Sequence, residues 1–134
     1  MNATEQLNHF LAGYGRRLNL SLGMKNGVCA LMRNRHEVAI IELPPDSDCV
    51  IFHRRLEDLQ SAAESHLRTL LALNFEMNAM RGCWLAMDGD DVLRLCSQQP
   101  LASLDATGFS AALNAFIVQA DEVSEFLAEN HRAA

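Results

Sequence analysis

The sequence predicts an α+β protein of order αβββαββα, an antiparallel twisted sheet with helices mainly on one side. Three observations predict it. Apolar residues recur at helical spacing near the start, the middle and the end of the chain. Three short β-branched runs separated by turn residues fill the first gap between these stretches. Two apolar runs joined by Asp88-Gly89-Asp90-Asp91 fill the second. Connections this short favour antiparallel pairing, because parallel neighbours need a long crossover. At 134 residues the chain is expected to form one domain over residues 1–134, long enough for a real core and too short for two.

The first helix is expected from Thr4, as its cap, to about Asn19. Leu7, Phe10, Leu11, Tyr14 and Leu18 form one stripe on it. Gly13 and Gly15 each weaken it by roughly 1 kcal/mol. Asn19 to Gly23 is the exit. The three strands are Gly27–Arg33, Glu37–Leu43 and Cys49–Arg54. Asn34-Arg35-His36 turns the first, and Pro44-Pro45 with Asp46 to Asp48 stops the second. Along the second strand Val38 and Ile40 point one way, and Ala39, Ile41 and Leu43 the other. Both faces are apolar. Glu37 and Glu42, five apart, fall on opposite faces and form no acid–base pair.

The second helix is expected from about Leu56 to Leu73. Leu56, Leu59, Ala63, Leu67, Leu70 and Leu71 line one face, broadened by Leu73 and Phe75. Glu57, Asp58, Glu64 and Arg68 mark the wet side, with Glu64 and Arg68 at ion-pair spacing. The hairpin Cys83–Cys96 sets Cys83, Leu85 and Met87 against Trp84 and Ala86, with Gly89 supplying positive φ at the turn. Its return strand is Val92–Cys96. Pro100 breaks the chain and Asp105 caps the last helix. There Phe109, Leu113, Phe116, Ile117, Ala120, Val123 and Leu127 hold the helical period for five turns.

Composition excludes several functions. A net charge of −6 with scattered basic residues argues against nucleic acid, which needs a basic footprint. The basic doublets Arg16-Arg17 and Arg54-Arg55 read as solvated faces. No apolar run reaches membrane-spanning length, and MNATEQLNHF lacks a basic segment followed by an apolar core, so a cytoplasmic protein is expected. Cys29, Cys49, Cys83 and Cys96 form no CxxC pair and read as buried free thiols of a reducing compartment, although Cys83 and Cys96 flank one hairpin and could face each other. No phosphate loop or nucleophile motif is present. His9, His36, His53, His66 and His131 are dispersed, without metal-ligand spacing, and read as surface residues, with His53 able to meet a nearby carboxylate. The DGDD turn lacks the other ligands of a calcium loop. No catalytic residue, metal or cofactor is expected.

What remains is apolar area in excess of what one small subunit can hide. Self-association is the economical outlet, since a two-fold axis buries one patch twice. The second helix and the Trp84 strand are the expected homodimer interface, through Leu67, Leu70, Leu71, Phe75 and Trp84.

Several stretches also resemble the class I type III secretion chaperones of the Tir-chaperone (CesT) family, over nearly the whole chain. YGRRLNLSL (Tyr14 to Leu22) resembles the family's first-helix exit, with Asn19 and Ser21 where Gly and Pro are common. LLALNF (Leu70 to Phe75) resembles its LLxxNF helix end, and GCWLAMD (Gly82 to Asp88) its Gly-led strand. QPLASLDATGFSAALNAFIVQA (Gln99 to Ala120) is similar to its closing motif and is the most specific signal. The usual Trp near the end of the last helix is replaced in Val123-Ser124-Glu125-Phe126. The resemblance implies a cytoplasmic homodimer without enzyme activity that binds the extended N-terminal region of a secreted effector, partly by strand addition. On that implication Leu7, Phe10, Leu11, Tyr14, Leu18, Leu31, Ile40 and Phe52 are expected to line the effector grooves. The alternatives are a small ligand-binding or enzymatic α+β domain, which needs convergent polar groups in a cleft, and a regulatory adaptor for a folded partner.

Overall fold

The computed structural model describes the backbone of residues 1–133 and the side chains of residues 1–130; the side chain of His131 lies outside the described residues. Helix α1 (Ala3–Arg16) begins two residues earlier than a Thr4 cap suggests. Asn2 is its cap, its Oδ1 accepting from the Glu5 N–H at 2.8 Å. The helix ends at Arg16 because the chain doubles back on it. A Cβ on Gly15 would lie 2.5 Å from the Leu20 carbonyl oxygen, so the glycine is what admits the returning loop. Asn8 Oδ1 then accepts from Met24 N–H at 2.6 Å and holds that loop along the helix.

Strands β1 (Val28–Arg33), β2 (His36–Glu42) and β3 (Cys49–Asp58) form the expected meander, and β4 (Trp84–Met87) and β5 (Val92–Pro100) complete one sheet of order β1-β2-β3-β5-β4. All pairings are antiparallel. Two expected strands were too short. β3 runs on to Asp58 and β5 to Pro100, because each supplies the other's partner from Cys49↔Pro100 to Asp58↔Val92. Leu56 is therefore in a strand, not in the second helix. That helix, α2, spans Glu64–Asn74, after a turn in which Asp58 Oδ1 accepts from Gln60 N–H at 2.8 Å. The short α3 (Met77–Met80) and a 3₁₀ turn (Leu101–Ser103) follow α2 and β5.

Helix α4 (Ala106–Ala133) carries the expected cap: Asp105 Oδ1 accepts from Gly108 N–H at 2.7 Å. Phe109, Leu113, Phe116, Ala120, Val123 and Leu127 are all buried. Helices α1 and α4 pack together on one face of the sheet, where Phe109 stacks on Phe10 at 5.5 Å and meets Phe52 edge-on at 5.8 Å. Cys29, Leu31, Ala39, Ile41, Val50, Phe52, Leu95 and Leu85 supply the sheet's side of this core. The opposite face carries a cross-strand row Ala30–Ile40–His53–Cys96–Trp84, and no described helix covers it.

Two bulges set the details. Leu31 pairs with Ala39 but Met32 with Glu37, so Val38 is the extra residue of β2; Leu56 is extra in β3. The first bulge resets the alternation, and Glu37 and Glu42 end on the same, open face rather than on opposite ones. Arg54, nearly buried on the core face, donates from Nε to the Val38 carbonyl at 2.6 Å and from Nη1 to Asp121 on α4 at 2.7 Å. At the DGDD turn the left-handed residue is Asp91 (φ 59°), not Gly89. Asp88 Oδ1 accepts from the N–H groups of Asp90 and Val92 there, and these bonds hold its carboxyl below the usual carboxylate range.

Candidate functional site

Helix α2 leads into β4 through a single side chain. Asn74 Oδ1 accepts from Leu85 N–H at 2.7 Å and Asn74 Nδ2 donates to the Leu85 carbonyl at 3.2 Å. β4 is an edge strand, and this clamp occupies the outward backbone groups at its centre. Leu70 packs inward from α2, while Leu67, Leu71, Phe75 and Trp84 reach the surface, Leu71 and Phe75 with more than two thirds of their area (72% and 78%) exposed. Met87, which sequence reasoning left out of this face, is exposed and shares one hollow with Leu67 and Leu71, and Met77 on α3 is exposed too. An apolar hollow of about 250 Å³ opens between Leu59, Leu67, Leu70, Leu71, Leu85 and Leu93. Single exposed apolar residues are ordinary; a contiguous set of this kind on one element and the next strand is not.

The other end of the sheet is built differently. β1 is the second edge strand. The outward groups of Val28 are taken by Lys25, at 2.8 and 3.2 Å, and two-residue alternation puts those of Ala30 and Met32 outward next. A shallow groove of about 370 Å³ runs beside this edge between Leu22, Gly23, Val28 and Ala30. Of the eight residues expected to line effector grooves, Leu18 is exposed and Ile40 half-buried. Leu7, Phe10, Leu11, Tyr14, Leu31 and Phe52 are interior, because α4 covers the stripe of α1 and the inner face of the sheet. They form the wall beneath any groove, and Leu20 and Met32 join Leu18 at the surface. Tyr14 keeps a polar tip in this wall. Its hydroxyl donates to Asn114 Oδ1 at 2.7 Å, and burial raises its pKa.

The titratable groups pair off rather than converge on a vacant centre. On the open sheet face Arg94 Nε donates to His53 Nδ1 at 2.9 Å, which leaves His53 Nε2 to donate to Glu42 Oε1 at 3.2 Å. Arg94 Nη2 donates to Glu37 Oε2 at 2.6 Å, and Asp88 lies 3.7 Å from Nη1. His53 is thus mostly covered and bonded on both nitrogens, not a loose surface histidine. His66 is likewise bonded to Glu57, at the mouth of a polar cleft of about 620 Å³. Among the described residues no three His, Cys, Asp or Glu side chains gather closely enough to hold a metal ion, and no helix is long and apolar enough to cross a membrane. The four cysteines are free. Trp84, not Cys83, stands opposite Cys96, so the two hairpin thiols do not face each other. Burial pushes the Cys83 thiol up to about 11.

Comparison with known proteins places this arrangement. Among solved structures, a chain of the ExsC–ExsE complex superposes with a TM-score of 0.76 at 19% identity, covering 94% of this chain and 93% of that one. A chain of the heterodimeric ExoU–SpcU complex from the type III secretion system of Pseudomonas aeruginosa gives 0.65 at 18%, covering 90% and 93%. A chain of the HopA1–SchA chaperone–effector complex gives 0.63 at 16%, covering 88% and 96%. Identities this low establish the shared fold. No curated protein matches the chain. The model of one family spans residues 9–124, from α1 to the second half of α4. The chain belongs to the Tir chaperone protein (CesT) family, whose members are chaperones and not enzymes.

Proposed function

We propose that this chain is a cytoplasmic type III secretion chaperone, that it works as a homodimer, and that it holds the extended N-terminal region of a secreted effector. The observation that carries the reading is the apolar surface left uncovered from α2 to β4 in a chain of a chaperone family. Solved structures of the same fold include a chaperone–effector complex.

Leu67, Leu71, Phe75 and Trp84 are the dimer contacts, with Leu70 supporting them from within. Each such side chain returns about 1.5–3 kcal/mol on burial. Four from each subunit together offset the roughly 4–15 kcal/mol lost in joining two bodies. The effector lies at the other end of the sheet. Ordering an extended segment costs about 1–2 kcal/mol per residue, so the client needs an apolar anchor every two or three residues and backbone hydrogen bonds besides. Ala30 and Met32 offer the bonds, and Leu18, Leu20 and Ile40 offer the contacts. Asn74 closes β4 to strand addition, and β1 is the edge strand that stays open.

The test is capture from secreting cells, with mass spectrometry to identify what is held and light scattering to weigh the purified chain. The expected result is a particle of twice the subunit mass that retains one extended polypeptide. Leu71→Asp removes an exposed contact and yields a folded monomer. Ile40→Asp keeps the dimer and loses the client. Phe10→Asp is no probe of the groove, because Phe10 is stacked on Phe109 in the core. A parent chain that stays monomeric at micromolar concentration and retains no secreted polypeptide sinks the reading.

A further inference from the structure

β5 outruns its outer neighbour. β4 pairs with it only from Trp84↔Cys96 to Met87↔Leu93, so the outer side of Ser97–Pro100 has no strand beside it among the described residues. Asn74 takes the backbone groups of Leu85 on the side away from β5, so Trp84 and Ala86 are the β4 residues that bond inward to Cys96 and Arg94. By the same alternation the N–H and C=O of Gln98 point into the open notch.

The notch continues inward as a cleft of about 520 Å³ between this edge, the Arg81–Cys83 turn and α4. Two side chains at least nine-tenths buried line it with polar atoms that have no hydrogen-bond partner among the described residues: Ser97 Oγ and Gln119 Oε1. Gln119 spends its Nε2 on the Ala79 carbonyl at 2.7 Å, so its oxygen is fixed in place. Leaving such groups unmatched is costly, and a cleft lined by two residues that each carry one is suited to a ligand that satisfies them.

The chemistry of that ligand follows from the inventory. Gln119 Oε1 only accepts, and the Ser97 hydroxyl can donate. One peptide unit offers the N–H and the C=O that they lack. Arg81 is the only charged side chain in the lining, and it lies at the rim, exposed and 3.9 Å from Glu122, so a cation finds no counter-charge within and the interior is neutral. Phe116 and Val118 give the cleft an apolar wall. We propose that this notch is a second peptide-binding site, which takes a neutral extended segment by strand addition at Gln98 and by an amide reaching Ser97 and Gln119. It rests on the chaperone reading only for the source of the peptide, a later stretch of the same captured polypeptide.

The probe is the polypeptide that the full-length chain retains, studied in the purified complex. A photoreactive benzophenone amino acid replaces Val118 at the rim of the notch or, as the reference, Met32 at the β1 edge. Both positions are expected to cross-link the captured polypeptide, at different segments. Ser97→Ala is expected to weaken its retention about three- to tenfold, the worth of one neutral hydrogen bond. Its Tm should stay at or above that of the parent, since the lost hydroxyl has no partner among the described residues. Cross-links from position 118 confined to the chain itself or to a second copy, with position 32 still reaching the polypeptide, overturn the notch alone. Unchanged retention by Ser97→Ala overturns it too. A chain that retains no polypeptide overturns the chaperone reading and the notch together.

Discussion

Asn74 does for the outer strand what a neighbouring strand would do, with a donor and an acceptor on one side chain. Replacing it by Ala is expected to lower stability by about 2 kcal/mol, the loss of two side chain–backbone bonds, readable in a denaturant titration. Nothing in the periodicity of LLALNF marks this residue, because its partner stands eleven positions on and meets it only in the folded chain. The motif containing it was visible; its role was not. That the thiols are free was legible; of the four expected to be buried, Cys29 is buried and Cys49, Cys83 and Cys96 are half-buried. Cys83 is pushed up to about 11 from the ordinary 9.0, and burial moves Cys29 and Cys96 in the same direction. Between these values the native state holds protons that the unfolded chain has lost. Stability from this source is therefore intact below pH 9 and falls as the pH rises toward 11, with a smaller loss in the Cys83→Ala variant, which keeps only Cys29 and Cys96. Thermal melts across that range measure it, and a flat profile contradicts the assignment.

At the scale of elements, the errors trace to the bulges and to one long ladder. Strict two-residue alternation put Glu37 and Glu42 on opposite faces, and the extra residue Val38 brings them to the same one. Leu56, Leu59 and Ala63 fall at helical spacing, yet Leu56 lies in β3, whose partner strand β5 continues opposite it. Local pattern carries no record of a partner strand about forty residues away. Elements whose signals are local were read correctly. Asp105 caps α4 as its side chain dictates, and the α4 stripe is buried as its spacing requires. The order of helices and strands came through intact for the same reason.

For the molecule as a whole, the aromatic cluster Phe10, Phe52, Phe109 and Phe116 joins the first helix, the sheet and the last helix. Phe109→Ala is expected to cost about 3–5 kcal/mol and to melt all elements in one transition, observed by circular dichroism and by tryptophan fluorescence of Trp84 at the same midpoint. A stripe of apolar residues in sequence does not say what covers it. That is why six of the residues assigned to grooves lie inside, under α4, while four of the five assigned to a dimer face stand exposed. The surplus of apolar area was legible; its division between core and surface needed the packing of α4. The clamp on β4 has a further consequence for how copies of this chain can aggregate. An endless ribbon of sheets requires each subunit to have two adhesive margins, one to receive and one to give. Here Asn74 seals the centre of one margin at Leu85, which leaves another copy only the short run of β5 past β4 to grip, so a full-length ladder cannot propagate across β4.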